Sequence, residues 1–434
     1  MNLVYNIKDK PKFGQLIVFA FQQLLAILAA TIAVPTIVGN GMSQSAALFG
    51  AGVGTIVYLL FTKFNSPVFL GSSFAFIGSM LAAFAGAVSV EAGYAGIIFG
   101  ALFAGLVYVI IAIVVKFAGV NWINKLMPAV VIGPTVSIIG LSLAGNAISD
   151  LMKGKVVDLE GASVASPYVA LVCGLVTLFT VIICSVYGKK MAKLIPFIIG
   201  ILAGYVVAAI FTAIGIKTGN DALRVIDFSV FSGMKLFAVP DFSFLTAAKG
   251  LSAVDGKYIL TVAVAYVPVA FVVFAEHIAD HKNLSSVIDK DLLEDPGLHR
   301  TLLGDGVGSI AGAFFGGCPN TTYGESVGCV AITGNASVVT ILATAIMSIV
   351  ISFFGPFVTF LSTIPNCVMG GVCITLYGFI AVSGLKMIQD VDLGDNRNLF
   401  VVAIILICGI GGLTLSFGKV TLTEVACALI LGIV

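Results

Sequence analysis

Apolar runs long enough to cross a bilayer follow one another along this chain. A helix needs about 20 apolar residues to span a membrane. Clean runs lie at 15–38, 44–62, 93–116, 126–147, 167–187, 194–215, 258–279, 336–360, 366–388 and 396–414. Less tidy runs lie at 67–87, 299–316, 319–334 and 420–434. Together they predict an all-α polytopic membrane protein of about fourteen segments.

The untidy runs carry the most information. "SPVFLGSSFAFIGS" (66–79) has Pro67, Gly71 and two serines ahead of its helical part. "GGCPNTTYGESVG" (316–328) has Pro319, Asn320, two threonines, Gly324 and Glu325. Both predict an extended piece leading into a short helix, in segments 3 and 10. Bare backbone at membrane depth is tolerated only where protein buries it or where it lines a cavity. Broken segments at matching places in two halves point to a transporter's binding site. The places do match. The stretch 71–74 follows 29–31 by about 45 residues, as 320–325 follows Glu276. Order, spacing and breakage predict a 7+7 inverted repeat, since repeats with an odd number of spans insert in opposite orientations.

Composition sharpens the class. The chain has 434 residues, 59% of them hydrophobic and 10% charged, with a mean hydropathy of +1.14. Soluble domains carry about 25% charged residues, so most of this chain finds its solvent in lipid, as a single membrane domain. A net charge of +1 argues against a nucleic-acid partner. The eight cysteines lie mostly inside apolar runs and form no CxxC pair, so neither a disulfide framework nor a cysteine metal site is expected. The run Leu16 to Val38 is too long for a signal-peptide core.

Basic residues in short loops set orientation. A cytoplasmic N-terminus puts Lys63, Lys116, Lys125, Lys189, Lys190, Lys193, Lys282, Lys290, Arg300, Lys386 and Arg397 inside. Outer loops such as 39–43, 88–92 and 361–365 then carry no lysine or arginine. This predicts both termini inside, an even number of spans, and residence in the cell (inner or plasma) membrane.

One stretch carries candidate chemistry. "FVVFAEHIADHKN" (271–283) ends an apolar helix with Glu276, His277, Asp280 and His281. A charged carboxylate at a helix centre costs about 2.5–3.5 kcal/mol on insertion scales, so an acid there is a functional candidate. Asp9, Asp158, Asp221, Asp255, Asp289 and Asp390 sit in loops and read as solvated. Glu276 and Glu325 do not; Glu325 stands where a short helix begins, which also suits a charge at a helix N-terminus. Two carboxylates at a cavity suit a small neutral ligand with N–H donors. Backbone N–H groups of the broken segments can answer its carbonyls. An imide or amide heterocycle has that complement, and Phe74, Phe76 and Tyr323 could cover its ring. Carboxyls held away from water exchange protons near neutral pH, which would couple ligand movement to protons. Asp280, at i+4, shares the face of Glu276; His281 is rotated away, and its bland reading is an interfacial histidine beside Lys282.

Three rivals are weaker. "HIADH" mimics a zinc-protease helix, but such a site needs a third ligand, and no second His/Asp/Glu cluster is expected in another span. A passive channel wants a continuous ring-lined pore. An anion carrier would be repelled by two glutamates.

"AEHIADH", "DPGLHR" and "PNTTYGESVGCVAITG", with "GSSFAF" (71–76) and "GGVCITLYG" (370–378), resemble the nucleobase–ascorbate transporters (nucleobase:cation symporter-2), in their bacterial uracil:proton symporter branch. The resemblance runs from the first helix to the end of the chain. It implies proton-coupled uracil uptake by alternating access, with a xanthine, purine or urate permease of the same family as the alternative. Glu276 and Glu325 would hold the nucleobase ring. Phe74 and Gly324, with Tyr323, would donate backbone N–H groups, and Ala30 would line the pocket. Asp280 is preferred over His281 as the proton-coupling partner of Glu276. The implied organisation is a core domain (15–116 and 258–360) that slides against a gate domain (126–215 and 366–434), often within a homodimer, with protons as the coupling ion and no cofactor. Three positions depart from the family pattern. Ser326 stands where an Asn follows the second Glu, Asp280 where a His follows the first, and Gln23 where some relatives have His.

Overall fold

The computed structural model describes residues 3–119, 122, 128–158, 162–189, 191–417 and 420–433. Lys125 and Lys190, used above for orientation, lie outside the described residues. The chain is helical almost throughout, because its apolar runs can satisfy their backbone groups in lipid only within themselves.

The first half holds α1 (Phe13–Val38), α2 (Gln44–Phe61), β1 (Leu70–Ser72), α3 (Ile77–Gly86), α4 (Val90–Ala118), α5 (Ala129–Ser142), α6 (Ala144–Asp150), α7 (Pro167–Tyr187) and α8 (Pro196–Thr218). After α9 (Ser243–Gly250) come α10 (Gly256–Ile288), α11 (Leu298–Gly316), β2 (Asn320–Thr322), α12 (Gly324–Thr333), α13 (Val338–Ile351), α14 (Gly355–Thr363), α15 (Asn366–Met387) and α16 (Asn396–Ile410). A hairpin of β3 (Leu415–Phe417) and β4 (Val420–Leu422) leads into α17 (Glu424–Ile433). Among the described residues eight helical stretches are long and apolar enough to cross a membrane; α3, α13, α16 and α17 are shorter apolar helices.

Three stretches differ from the reading of the runs. The run 336–360 is two helices. Phe354 is extended ahead of Gly355 and Pro356, and residues 236–238 take up the freed backbone: Ala238 N–H donates to Phe353 O at 3.0 Å and Gly355 N–H to Leu236 O at 2.9 Å. Only Glu424–Ile433 of the run 420–434 is helical. α10 continues past residue 279 to Ile288, because His281, Leu284 and Ile288 keep a buried stripe going at helical spacing.

The chain forms two compact units, one of Met1–Ser142, Pro240–Val350 and Ile380–Val434, the other of Leu143–Val239 and Ile351–Phe379. In the first, α11 packs against α2 and α4. The backbones come so close that a Cβ at Gly50 would stand 2.7 Å from Gly312 O; small residues make such approaches possible in membranes. Its core holds the fully buried Tyr58, Phe69, Phe76, Tyr108, Tyr266 and Phe274. In the second unit α7 packs along α8, and the Tyr205 and Thr363 hydroxyls meet at 2.9 Å.

Candidate functional site

The two extended pieces find each other. Pro67 and Pro319 disfavour helix in the residues before them, and the short stretches that follow pair antiparallel, with Leu70 opposite Thr322, Gly71 opposite Thr321 and Ser72 opposite Asn320. A strand pair inside a membrane needs partners for its outer edges. α2 supplies them. Thr55 Oγ1 accepts from Leu70 N–H at 2.9 Å and donates to Leu70 O at 3.2 Å. Asn320 Nδ2 donates to Gly50 O at 3.0 Å. Ser73 N–H donates to Pro319 O at 2.9 Å. The Tyr323 ring lies over Gly71, where any Cβ would strike it, and its hydroxyl donates to Ser72 O at 2.8 Å. Each strand then runs into a short helix, α3 or α12, whose N-terminus concentrates partial positive charge beside the strand pair.

Glu325 sits in the first turn of α12, half-buried. α10 brings Glu276 and Asp280 to the same place. Asp280 Oδ2 accepts from Thr322 Oγ1 of β2 at 2.8 Å, and a Cβ added to Gly324 would lie 3.7 Å from Asp280 Oδ1. Glu276 lies within electrostatic range of Asp280 and Glu325. Among the described residues no lysine or arginine forms a salt bridge with any of the three. Thr31, beside the buried Ala30 of α1, interacts with the Tyr323 hydroxyl. Phe74 lies two residues past the end of β1 and is half-buried. Phe76 is fully buried and stacked on Tyr266, with centroids 5.4 Å apart, so it is packing rather than a cover for a ligand ring.

The two histidines of "AEHIADH" face elsewhere. His281 is fully buried rather than interfacial. Its Nδ1–H donates to His277 O at 2.8 Å, and its Nε2 is 2.7 Å from the Tyr58 hydroxyl on α2. His277 meets Asp305 of α11 at 2.7 Å. Asp305 is a fully buried acid not singled out from the sequence; the signal was there in "GDGVGSIAG", an acid inside a glycine-rich run. The departures at Gln23 and Ser326 also meet, Gln23 Nε2 donating to Ser326 Oγ at 2.6 Å. The same oxygen accepts from Phe69 N–H at 3.1 Å. One hydroxyl thus ties α1 and the approach to β1 to the turn that carries Glu325.

The profile of a family described as a permease family matches residues 14–417. The chain belongs to this permease family, the nucleobase:cation symporters-2. The permease is therefore an integral membrane transporter and not an enzyme. It is 40% identical to a uracil permease of Bacillus caldolyticus, over 99% of this chain and 93% of that protein. It is 37% identical to a uracil permease of Bacillus subtilis (strain 168), with 99% and 93% covered, and 34% identical to a uracil permease of Escherichia coli (strain K12), with 99% and 92% covered. Its fold is that of the transmembrane domain of a cyanobacterial bicarbonate transporter, BicA, at a TM-score of 0.67, 18% identity, and 93% and 99% coverage. The murine anion transporter Slc26a9 in its inward-facing state matches at 0.65, with 12% identity and 98% and 68% coverage.

Proposed function

We propose that this permease imports uracil together with protons. The observation that carries the reading is the convergence of Glu276, Asp280 and Glu325 on the β1–β2 pair, with no salt bridge to a basic residue among the described residues, in a chain whose relatives at 34–40% identity are named uracil permeases. Uracil is a flat imide, alternating N–H and C=O. Glu276 and Glu325 accept its N–H groups, while the backbone N–H groups of Phe74, Gly324 and Tyr323 donate to its carbonyls. Hydrogen bonds to a charged group contribute about 1.5–3 kcal/mol each, so loss of one carboxylate weakens binding by a factor of ten or more. Asp280 takes the proton that travels with the base, and Ala30 borders the pocket. An anion is the wrong substrate for this site, because three carboxyl groups would repel it; the likeness to anion transporters is one of fold.

In this reading the chain crosses the plasma membrane fourteen times as a 7+7 inverted repeat, with both termini cytoplasmic. A core (segments 1–4 and 8–11) moves against a gate (5–7 and 12–14) to alternate access, within a homodimer held in lipid. Protons are the coupling ion, and no cofactor takes part. Competition for labelled uracil uptake tests the substrate. Uracil and 5-fluorouracil are expected to compete, and xanthine and uric acid to fail. Competition by the purines instead would move the assignment to a purine or xanthine carrier.

A further inference from the structure

α10 carries a second polar face, about 100° round the helix from Glu276 and Asp280. His277 and His281 stand on it, fully buried, with ring centroids 4.1 Å apart. Asp305 of α11, equally buried, places Oδ2 2.7 Å from His277 Nδ1. The other ring nitrogen, Nε2, is 2.9 Å from Thr301 Oγ1. We infer that the Asp305–His277 pair is a second proton-holding site of the permease, distinct from the carboxylates offered to substrate. As a part of transport coupling, this rests on the uracil:proton reading above.

The hydrogen-bond geometry accommodates a proton on the pair. Thr301 has one hydroxyl hydrogen, and Thr301 Oγ1 donates it to Leu298 O at 3.0 Å. The contact with His277 Nε2 then needs an Nε2–H. The contact between Nδ1 and Asp305 Oδ2 needs a hydrogen of its own, on either atom. With Thr301 donating to Leu298 O, both bonds are satisfied together only when the pair carries one proton more than a carboxylate beside a neutral imidazole. Its net charge is then zero, the state a buried site without a countercharge favours. Asp305 Oδ1 agrees with this, since it is buried and has no hydrogen-bond partner; a full carboxylate would leave that charge unanswered.

Loss of the proton has a short local path. Thr301 turns its hydroxyl from Leu298 O to Nε2, and Nδ1–H alone faces a carboxylate. The groups that face the pair are Glu276, Asp280 and His281 on α10, Tyr58 on α2 and Tyr108 on α4. None is a lysine or arginine. A deprotonated pair therefore puts one uncompensated negative charge within range of Glu276 and Asp280. Protons on the two faces of α10 are thereby coupled through charge, and titrate as one system.

The test uses full-length protein in liposomes: wild type, Asp305→Asn, His277→Gln and Thr301→Val. Uracil binding, uracil counterflow and accumulation driven by a pH gradient are measured for each, with infrared difference spectra between acidic and alkaline pH. Asp305→Asn is expected to keep binding and counterflow and to lose gradient-driven accumulation, and its spectrum to lose a titrating signal that the wild type shows. Accumulation by Asp305→Asn with the wild-type pH profile would overturn the inference, as would wild-type and variant spectra that coincide. If Asp305→Asn does not fold, His277→Gln and Thr301→Val carry the same comparison. A wild type that binds no uracil sinks the substrate reading alone, because the infrared comparison needs no substrate.

Discussion

Asp280 and His281 are neighbours in sequence with opposite surroundings, and they should fail in opposite ways. His281 is tied to His277 O and to the Tyr58 hydroxyl, which also bonds Ser66. His281→Leu strands these buried groups, at about 1–3 kcal/mol for an unsatisfied partner. A lower melting temperature of the purified permease is expected. Asp280 sits half-buried beside Thr322, so Asp280→Asn should melt like wild type and lose proton-driven uptake. A His281→Leu variant that melts normally but is uncoupled would make His281 the proton carrier. Glu276, Asp280 and Glu325 stood out in the sequence as acids at the ends or breaks of apolar runs, although Glu325 also suits a charge at a helix N-terminus. The i+4 spacing put Asp280 and His281 on different faces of α10, and the two have different partners, Thr322 and Tyr58. The partners of the histidines were not legible, because Asp305 and Tyr58 come from α11 and α2, and helix periodicity along α10 says nothing of what faces it.

At the scale of elements, the β1–β2 pair is the joint on which the site depends. Gly71 has the Tyr323 ring against it, and the Tyr323 hydroxyl reaches Ser72 O. Gly71→Ala should displace the ring and, with it, the start of α12. A lower melting temperature and weaker uracil binding are expected together. Tyr323→Phe removes only one hydrogen bond, worth about 1 kcal/mol, and should melt closer to wild type than Gly71→Ala does. Equal melting of Gly71→Ala and wild type would show that the ring is not fixed there. Proline and glycine marked both pieces as extended, with serines in the first and threonines in the second, but that the pieces pair with each other was not readable. The pairing joins residues about 250 positions apart, and it is braced against α2, where Thr55 bonds Leu70 and Gly50 O accepts from Asn320. The break at Phe354 was missed for a similar reason. Its neighbours are apolar, and its backbone partners lie at 236–238.

At the scale of the molecule, hydropathy alone was enough to make this a many-helix membrane protein, and the family match makes it a permease. The proposed span count is even, so fluorescent reporters that mature only in the cytoplasm should light at both ends of the chain. A dark reporter at one end would break the fourteen-span scheme. The central claim is narrower: half-buried carboxylates at the β1–β2 pair hold the N–H groups of uracil. Its most direct test is equilibrium binding of labelled uracil to the purified permease, wild type against Glu276→Gln, with folding checked by thermal melting. The account predicts a Glu276→Gln protein that melts like wild type and binds uracil at least about tenfold more weakly, the equivalent of one charge-assisted hydrogen bond. Wild-type affinity in that variant would contradict it.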